Sequence, residues 1–263
     1  MENKLISCRS LIRASLAGLA TLPLAGCDQF DFLVNQESTL RRAVASMNSV
    51  TYRAQRLLVS RDRLAPEFLP EDIRQTQHPN GSTDPDTEDF QAIKTYNFAA
   101  YRLTKSGLVQ TPLTLSLEDL RALPSRNQIT SHDCVEGWST IAKCKGVPLR
   151  TILEKAGIKS SGRFILIRCY DALTSGLSGP DLYYETMDLV DAFHPQSILA
   201  YELNDTPLPI ENGAPLRVRI GRQLGYKMAK YIKSIEVVTS FENVNGGYDG
   251  YWEDRGYDWY AGI

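Results

Sequence analysis

The segment Ser131-His132-Asp133-Cys134-Val135-Glu136-Gly137-Trp138-Ser139 brings a thiol, an imidazole and two carboxylates together in one short stretch. Three readings compete for Cys134. As a nucleophile it needs a base, and His194 is a candidate among the chain's three histidines; it also needs an orienting Asn or Asp and an oxyanion hole, which no motif announces. As a zinc ligand it has His132 and Cys144 for company, three donors at an unfamiliar spacing where zinc asks for four. As a buried structural thiol it does no chemistry at all. A second constellation is cationic: Arg217 beside Asn212, and Lys227, Met228 and Lys230 in the run Gly225-Tyr-Lys-Met-Ala-Lys230. Such side chains grip anions when they converge. Read separately, Arg217 is an outward-facing strand residue between Leu216, Val218 and Ile220, and the lysines are a solvated basic loop.

The elements that must position these residues are legible in the pattern. A strand over about Asn127–Asp133 leads into Cys134, and a helix is expected to follow it. Pro148 and Gly157 bracket apolar Leu149, Ile152, Leu153 and Ala156 at helical spacing. Ser116 with acids behind it starts another helix. Strands are expected at 164–170, 198–203, 216–220 and 232–239. Strands outnumber helices and irregular loops separate them, so the fold class is α+β with mixed sheets, short helices and long loops. Of 263 residues, 43% are hydrophobic and 23% charged, and the formal net charge is −2. That is an ordinary globular composition with no electrostatic reason to bind nucleic acid, so a small-molecule substrate is expected.

The Asp-Cys-Val-Glu-Gly-Trp-Ser core is followed by Phe193-His194-Pro195, by Asn212-Gly-Ala-Pro-Leu-Arg217, by Leu224-Gly-Tyr-Lys227 and by Ile232-Lys-Ser-Ile235. In this order the motifs resemble the sulfite oxidase family, nearest the branch of periplasmic methionine-sulfoxide reductase catalytic subunits. The resemblance covers residues 97–240 and implies the family's molybdopterin-domain fold. It further implies molybdenum held by one molybdopterin and by a single cysteine, which Cys134 matches. A thiolate suits that task because it is a soft, electron-donating ligand that metal binding keeps deprotonated. By the same resemblance Asn97, Cys169, His194, Asn212, Arg217, Lys227, Met228 and Lys230 fall where the family holds pterin and phosphate; Cys169 stands where the reductases carry a threonine. The implied activity is oxygen-atom transfer at sulfur or a similar heteroatom. Sulfite oxidation is the alternative, and a dianion would call for arginines such as Arg102, Arg168, Arg219 and Arg222 around the metal. A metal-free lipid-anchored binding or scaffold protein is the alternative of another class.

The remaining expectations concern organisation. Lys4, Arg9 and Arg13 precede an apolar run, too short to span a bilayer, that ends in Leu24-Ala-Gly-Cys27 and resembles a bacterial lipoprotein box. Residues 1–26 are thus expected to be a signal peptide and Cys27 a lipidated anchor, with the chain periplasmic. Ser7-Cys8-Arg9 also resembles a twin-arginine signal with Cys8 in place of the first arginine, which leaves the export route open. With Cys8 removed and Cys27 lipidated, Cys134, Cys144 and Cys169 remain, and Cys144 with Cys169 is the candidate disulfide. Residues 27–95 are expected to form a tether and short helices wrapped on the domain, 96–240 the molybdopterin domain, and 241–263 an aromatic, glycine-rich segment packed over it. No C-x-x-C-H haem motif occurs in the chain, so electrons are expected to pass through a separate partner, which the resemblance suggests is a membrane haem protein.

Overall fold

Leu149, Ile152, Leu153 and Ala156 lie on one face of a helix that starts after Pro148 and stops at Gly157, and all four are buried. Each large aliphatic side chain on that face contributes about 1.5–3 kcal/mol through burial, which is what holds so short a helix in place. The computed structural model in which this helix is seen describes residues 38–176, 179–245, 247 and 249–263. The expected signal peptide, Cys8 and Cys27 lie outside the described residues. The chain divides into residues 1–49 and 50–263, and the site described below lies in the second unit.

In chain order the elements are α1 (Thr39–Leu58), α2 (Glu88–Thr95), β1 (Leu103–Gly107), β2 (Leu113–Leu115), α3 (Leu117–Ala122), β3 (Arg126–Asp133), β4 (Ser139–Pro148), α4 (Leu149–Ala156), β5 (Phe164–Gly176), β6 (Gly179–Asp188), α5 (Leu189–Ala192), β7 (Ile198–Leu203), β8 (Thr206–Pro207), β9 (Arg217–Arg219) and β10 (Ile232–Val238). One sheet has the order β2-β1-β10-β5-β6 and is antiparallel except where β1 runs parallel to β10. The other has the order β3-β4-β7-β8, with β9 also paired to β7. Ile165, Ile167 and Ile235 from the first sheet share a core with Val147, Leu199 and Val218 from the second. The α+β class with mixed sheets and short helices is the architecture found.

Two local expectations change. The residue after Cys134 does not enter a helix: β3 and β4 form an antiparallel hairpin, in register from Arg126↔Gly146 to Asp133↔Ser139, and Cys134 opens its turn. The N-terminal region holds a longer helix than expected, twenty residues in α1. From its last turns, Tyr52 and Arg56 reach Asp188, and Arg56 also reaches Asp191.

Candidate active site

The hairpin turn is closed by the amide of Cys134 donating to the Trp138 carbonyl (2.9 Å) and that of Gly137 donating to the Cys134 carbonyl (3.0 Å). This fixes the thiol on the wall of a chamber of about 140 Å³. Tyr183, Tyr226, Trp252 and Tyr257 supply its aromatic surface, Met228 and Leu173 its aliphatic surface, and Lys230, Asp171 and Glu136 its charges. Trp252 and Tyr257 come from the C-terminal run and stack on each other at 5.3 Å. Partial burial pushes the Cys134 thiol up from its ordinary pKa, so it becomes a thiolate when a metal displaces its proton.

Beside the chamber lies a buried cationic cluster. Alternation along β9 turns Val218 to the main core and sends Arg217 and Arg219 to the opposite face of the sheet. That face is not open to water, because the hairpin and residues 65–80 cover it: Phe68 donates to Ile129 and Arg74 to Ile141. Both arginines and His132 line a small cavity of about 20 Å³, together with Asn212 and Asn80, and Asn80 also walls the chamber. Arg219 donates to His132 Nδ1 (2.6 Å), Ser131 O (2.9 Å) and Thr130 Oγ1 (3.2 Å). Arg217 donates to Asn212 O (2.9 Å), and Lys230 to Asn80 O (2.6 Å) and Glu211 O (3.1 Å). These acceptors are all neutral. Among the described residues Arg217 Nε and Nη2, Arg219 Nε and His132 Nε2 have no partner.

The electrostatic consequence is large. Burial, with Arg217 close by, lowers Lys230 to about 7. Burial and Arg219 lower Arg217 to about 10. Burial, with Arg219, Arg217 and Lys230 around it, holds His132 well below its usual range and therefore neutral. Its Nδ1 accepts from Arg219, so Nε2 carries the hydrogen. That nitrogen lies against Gly225, where an added Cβ would sit 2.6 Å from it. Asp171 offsets part of the Lys230 charge, but none of these cations is in direct ion pairing with a carboxylate, and a buried group of cations with unused donors is unfavourable by itself and calls for an anion. A phosphate-bearing cofactor beside a thiol supplies one, so the donor set fits molybdopterin.

The sequence-derived site residues divide in two. Cys134, Met228 and Lys230 line the chamber, and Asn212 and Arg217 the adjoining cavity. The other four lie elsewhere. Lys227 is fully buried between Glu185 (2.5 Å) and Glu253, and so is not a solvated loop lysine. His194 accepts from the amide of Gln196 (3.2 Å) and packs its Nε2 on the Arg63 carbonyl (3.0 Å). Cys169 is buried in the first sheet and borders a separate open cleft. Asn97 stands exposed in a left-handed turn after α2. Cys134, Cys144 and Cys169 are all free thiols. Cys144 faces a small cluster with Ala142 and Ile198 while Cys169 is in the main core, so the expected pair is not a disulfide. Arg219 and His132 were not among the expected cofactor residues; their signal was the i, i+2 arginine pair and an inward-facing histidine on β3.

Comparison with known proteins bears on the same region. The model of the oxidoreductase molybdopterin binding domain matches residues 90–245. A protein of Azospira oryzae, named as the putative protein-methionine-sulfoxide reductase subunit YedZ1, is 32% identical over 94% of this chain and 84% of its own length. The protein-methionine-sulfoxide reductase catalytic subunit MsrP of Campylobacter jejuni is 31% identical over 54% of this chain and 50% of its own. The chain thus spans about half the length of that subunit. Among solved structures, the sulfane dehydrogenase SoxCD of Paracoccus pantotrophus aligns with a TM-score of 0.47 at 22% identity, covering 56% of this chain and 41% of that one.

Proposed function

Since this chain belongs to the oxidoreductase molybdopterin binding domain family, we propose that it reduces sulfoxides, holding molybdenum through Cys134 and the phosphate of a single molybdopterin through Arg217, Lys230 and their neighbours. The bound group would supply two-electron oxygen-atom transfer. The chain's residues do the rest. Cys134 gives the metal one soft ligand on a short, doubly hydrogen-bonded turn. Arg217 Nε and Nη2 and His132 Nε2 are the free donors for the phosphate. Arg219 holds the His132 tautomer.

The observation that carries the reading is the cluster of buried cations and unused donors adjoining the chamber of Cys134. The character of the chamber favours a neutral substrate over sulfite. Among the described residues that line it there is no arginine: Arg102 caps carbonyls near its own position, Arg168 pairs with Glu236, and Arg222 pairs with Asp191. Aromatic rings and a methionine suit an alkyl sulfoxide. The names of the relatives support the same substrate class. Electrons then come from a separate partner of haem type. Residues 1–27 support a periplasmic, lipid-anchored protein by their lipoprotein-like pattern.

The test is elemental analysis for molybdenum on protein from a cofactor-competent host, followed by reduction of methionine sulfoxide and oxidation of sulfite with artificial redox dyes. Stoichiometric molybdenum with sulfoxide reduction is expected. A metal-free protein defeats the cofactor assignment, and sulfite turnover without sulfoxide turnover defeats the substrate assignment.

A further inference from the structure

Reduction of a sulfoxide consumes two protons: one dialkyl sulfoxide, two protons and two electrons give one dialkyl sulfide and one water. The S–O bond breaks, two O–H bonds form, and sulfur takes up the electrons delivered by a one-electron carrier of haem type. One side of the chamber carries the exposed Val135 and Glu136, but its inner wall is made by the buried Tyr183, Asp171 and Met228, and a proton delivered at that inner wall needs a side-chain donor. Resting on the sulfoxide reading above, we propose that Glu185 is the store for one of them and that Tyr183 passes it into the Cys134 chamber.

The geometry begins with charge. Lys227 is enclosed by two buried carboxylates, Glu185 and Glu253. One ammonium neutralises one carboxylate, and leaving the second ionised in this interior is costly, so the trio holds a proton. The hydrogen bonds locate it. Glu185 Oε1 already accepts from Lys227 Nζ (2.5 Å) and from the Thr186 amide (2.8 Å). Glu185 Oε2 faces the Tyr183 hydroxyl at 3.4 Å, while that hydroxyl donates its own hydrogen to the Tyr226 carbonyl (2.6 Å). A phenol has one hydrogen. Oε2 therefore interacts favourably with Tyr183 by carrying the proton and donating it.

Tyr183 is well placed to hand that proton on. It lines the chamber of Cys134 and also an open cleft of about 770 Å³ bordered by Thr104, Arg168 and Lys233. A proton leaves Tyr183 Oη toward the oxygen released in the chamber, Glu185 Oε2 gives its proton to Oη, and the pair is recharged through Tyr183, the member that borders the open cleft. The groups facing Glu185 are Lys227 and Glu253, Asp249 beside them, Tyr183 on its own strand, and Cys169 and Asp171 of β5. Burial, followed by repulsion from Glu253, raises Glu185 well above the ordinary carboxylate range, the direction that favours its protonated form.

The test uses the molybdenum-loaded chain with Glu185→Gln and Tyr183→Phe. Gln keeps the volume and hydrogen-bonding reach of the acid without its titrating proton, and Phe keeps the ring packed on Tyr251. The relay predicts that kcat for methionine sulfoxide falls on the order of 100-fold in each variant, with unchanged KM and molybdenum content. The solvent deuterium isotope effect on kcat and its decline at high pH should both change, and the double variant should be no worse than either single one. Independently of turnover, the wild type should show the infrared carbonyl band of a buried protonated acid at neutral pH, lost in Glu185→Gln and shifted in Tyr183→Phe. A purely structural trio would lower stability and leave the isotope effect and pH profile as they were. The failures are separable: absence of sulfoxide turnover in the wild type defeats the functional reading, whereas normal turnover in both variants, or a missing acid band in the wild type, overturns the relay.

Discussion

A metal-binding thiol and a phosphate-binding guanidinium fail differently when altered, and that difference separates their roles. Cys134→Ser removes the soft ligand while changing little else on the hairpin turn, whose closure uses backbone atoms. We expect lost turnover with an unchanged thermal midpoint, read by dye-linked sulfoxide reduction and melting; full turnover would remove Cys134 from the metal. Arg217→Met keeps bulk but deletes a charge-assisted contact of about 1.5–3 kcal/mol. Molybdenum content should fall, while activity per molybdenum stays near that of the wild type, because a phosphate clamp stabilises ground and transition states alike. Full metal content with a raised KM would instead place Arg217 in the substrate pocket.

Positioning at the level of elements depends on how closely β4 approaches β7. The register shifts between Lys145 and Gly146, and at Gly146 an added Cβ would meet the Leu199 carbonyl oxygen at 2.1 Å. Backbone cannot retreat there without parting the sheet that carries β9 and the hairpin. Gly146→Ala should therefore destabilise the protein by about 1–3 kcal/mol, seen as a lower urea midpoint with an unchanged slope; an unaltered midpoint would show that the strands have room to separate. The same strand shows what the sequence conceals. Its inward residues are Thr140, Ala142, Cys144 and Gly146, small and half-polar, so the period-2 signal is faint and the helix expected after Cys134 is a strand. In β6 the buried side chains include Glu185 and Thr186, so the pattern marks no strand over those residues. Where the inward set is aliphatic, as in β7 or α4, the elements were legible nearly to the residue. The site was legible where a motif carries it, as at Cys134 and Arg217, and illegible where burial alone does: Arg219 and His132 belong to no cofactor motif, and their face is closed only by residues 65–80, far away in sequence.

For the molecule as a whole, a formal charge of −2 hides an interior with a cationic pole, and two predictions follow, one from the proposed lipid anchor and one from the charge. The first concerns the N-terminus: Cys27→Ala should release the protein from membranes, because the apolar run before it gives no durable anchor once lipidation is lost. A variant that still pellets with membranes after high-salt washing would rule out the lipoprotein. The second concerns stability against pH in protein purified without cofactor. Lys230 is lowered to about 7 in the folded chain, against an unfolded value of 10.5. Between these values the unfolded chain binds more protons at this site, so the Lys230 contribution to stability rises with pH, by at most about 1.4 kcal/mol per unit. Below about 7 the penalty is constant. Other groups contribute in the same window, Lys105 in the same direction and Cys169 in the opposite one, so the informative quantity is a difference. Lys230→Met removes the buried charge and should be more stable than the wild type at pH 7, with an advantage that shrinks steadily toward pH 9 in parallel denaturant titrations. A pH-independent difference would mean that Lys230 keeps its ordinary proton affinity and that the pole is already neutralised by a group of the protein itself.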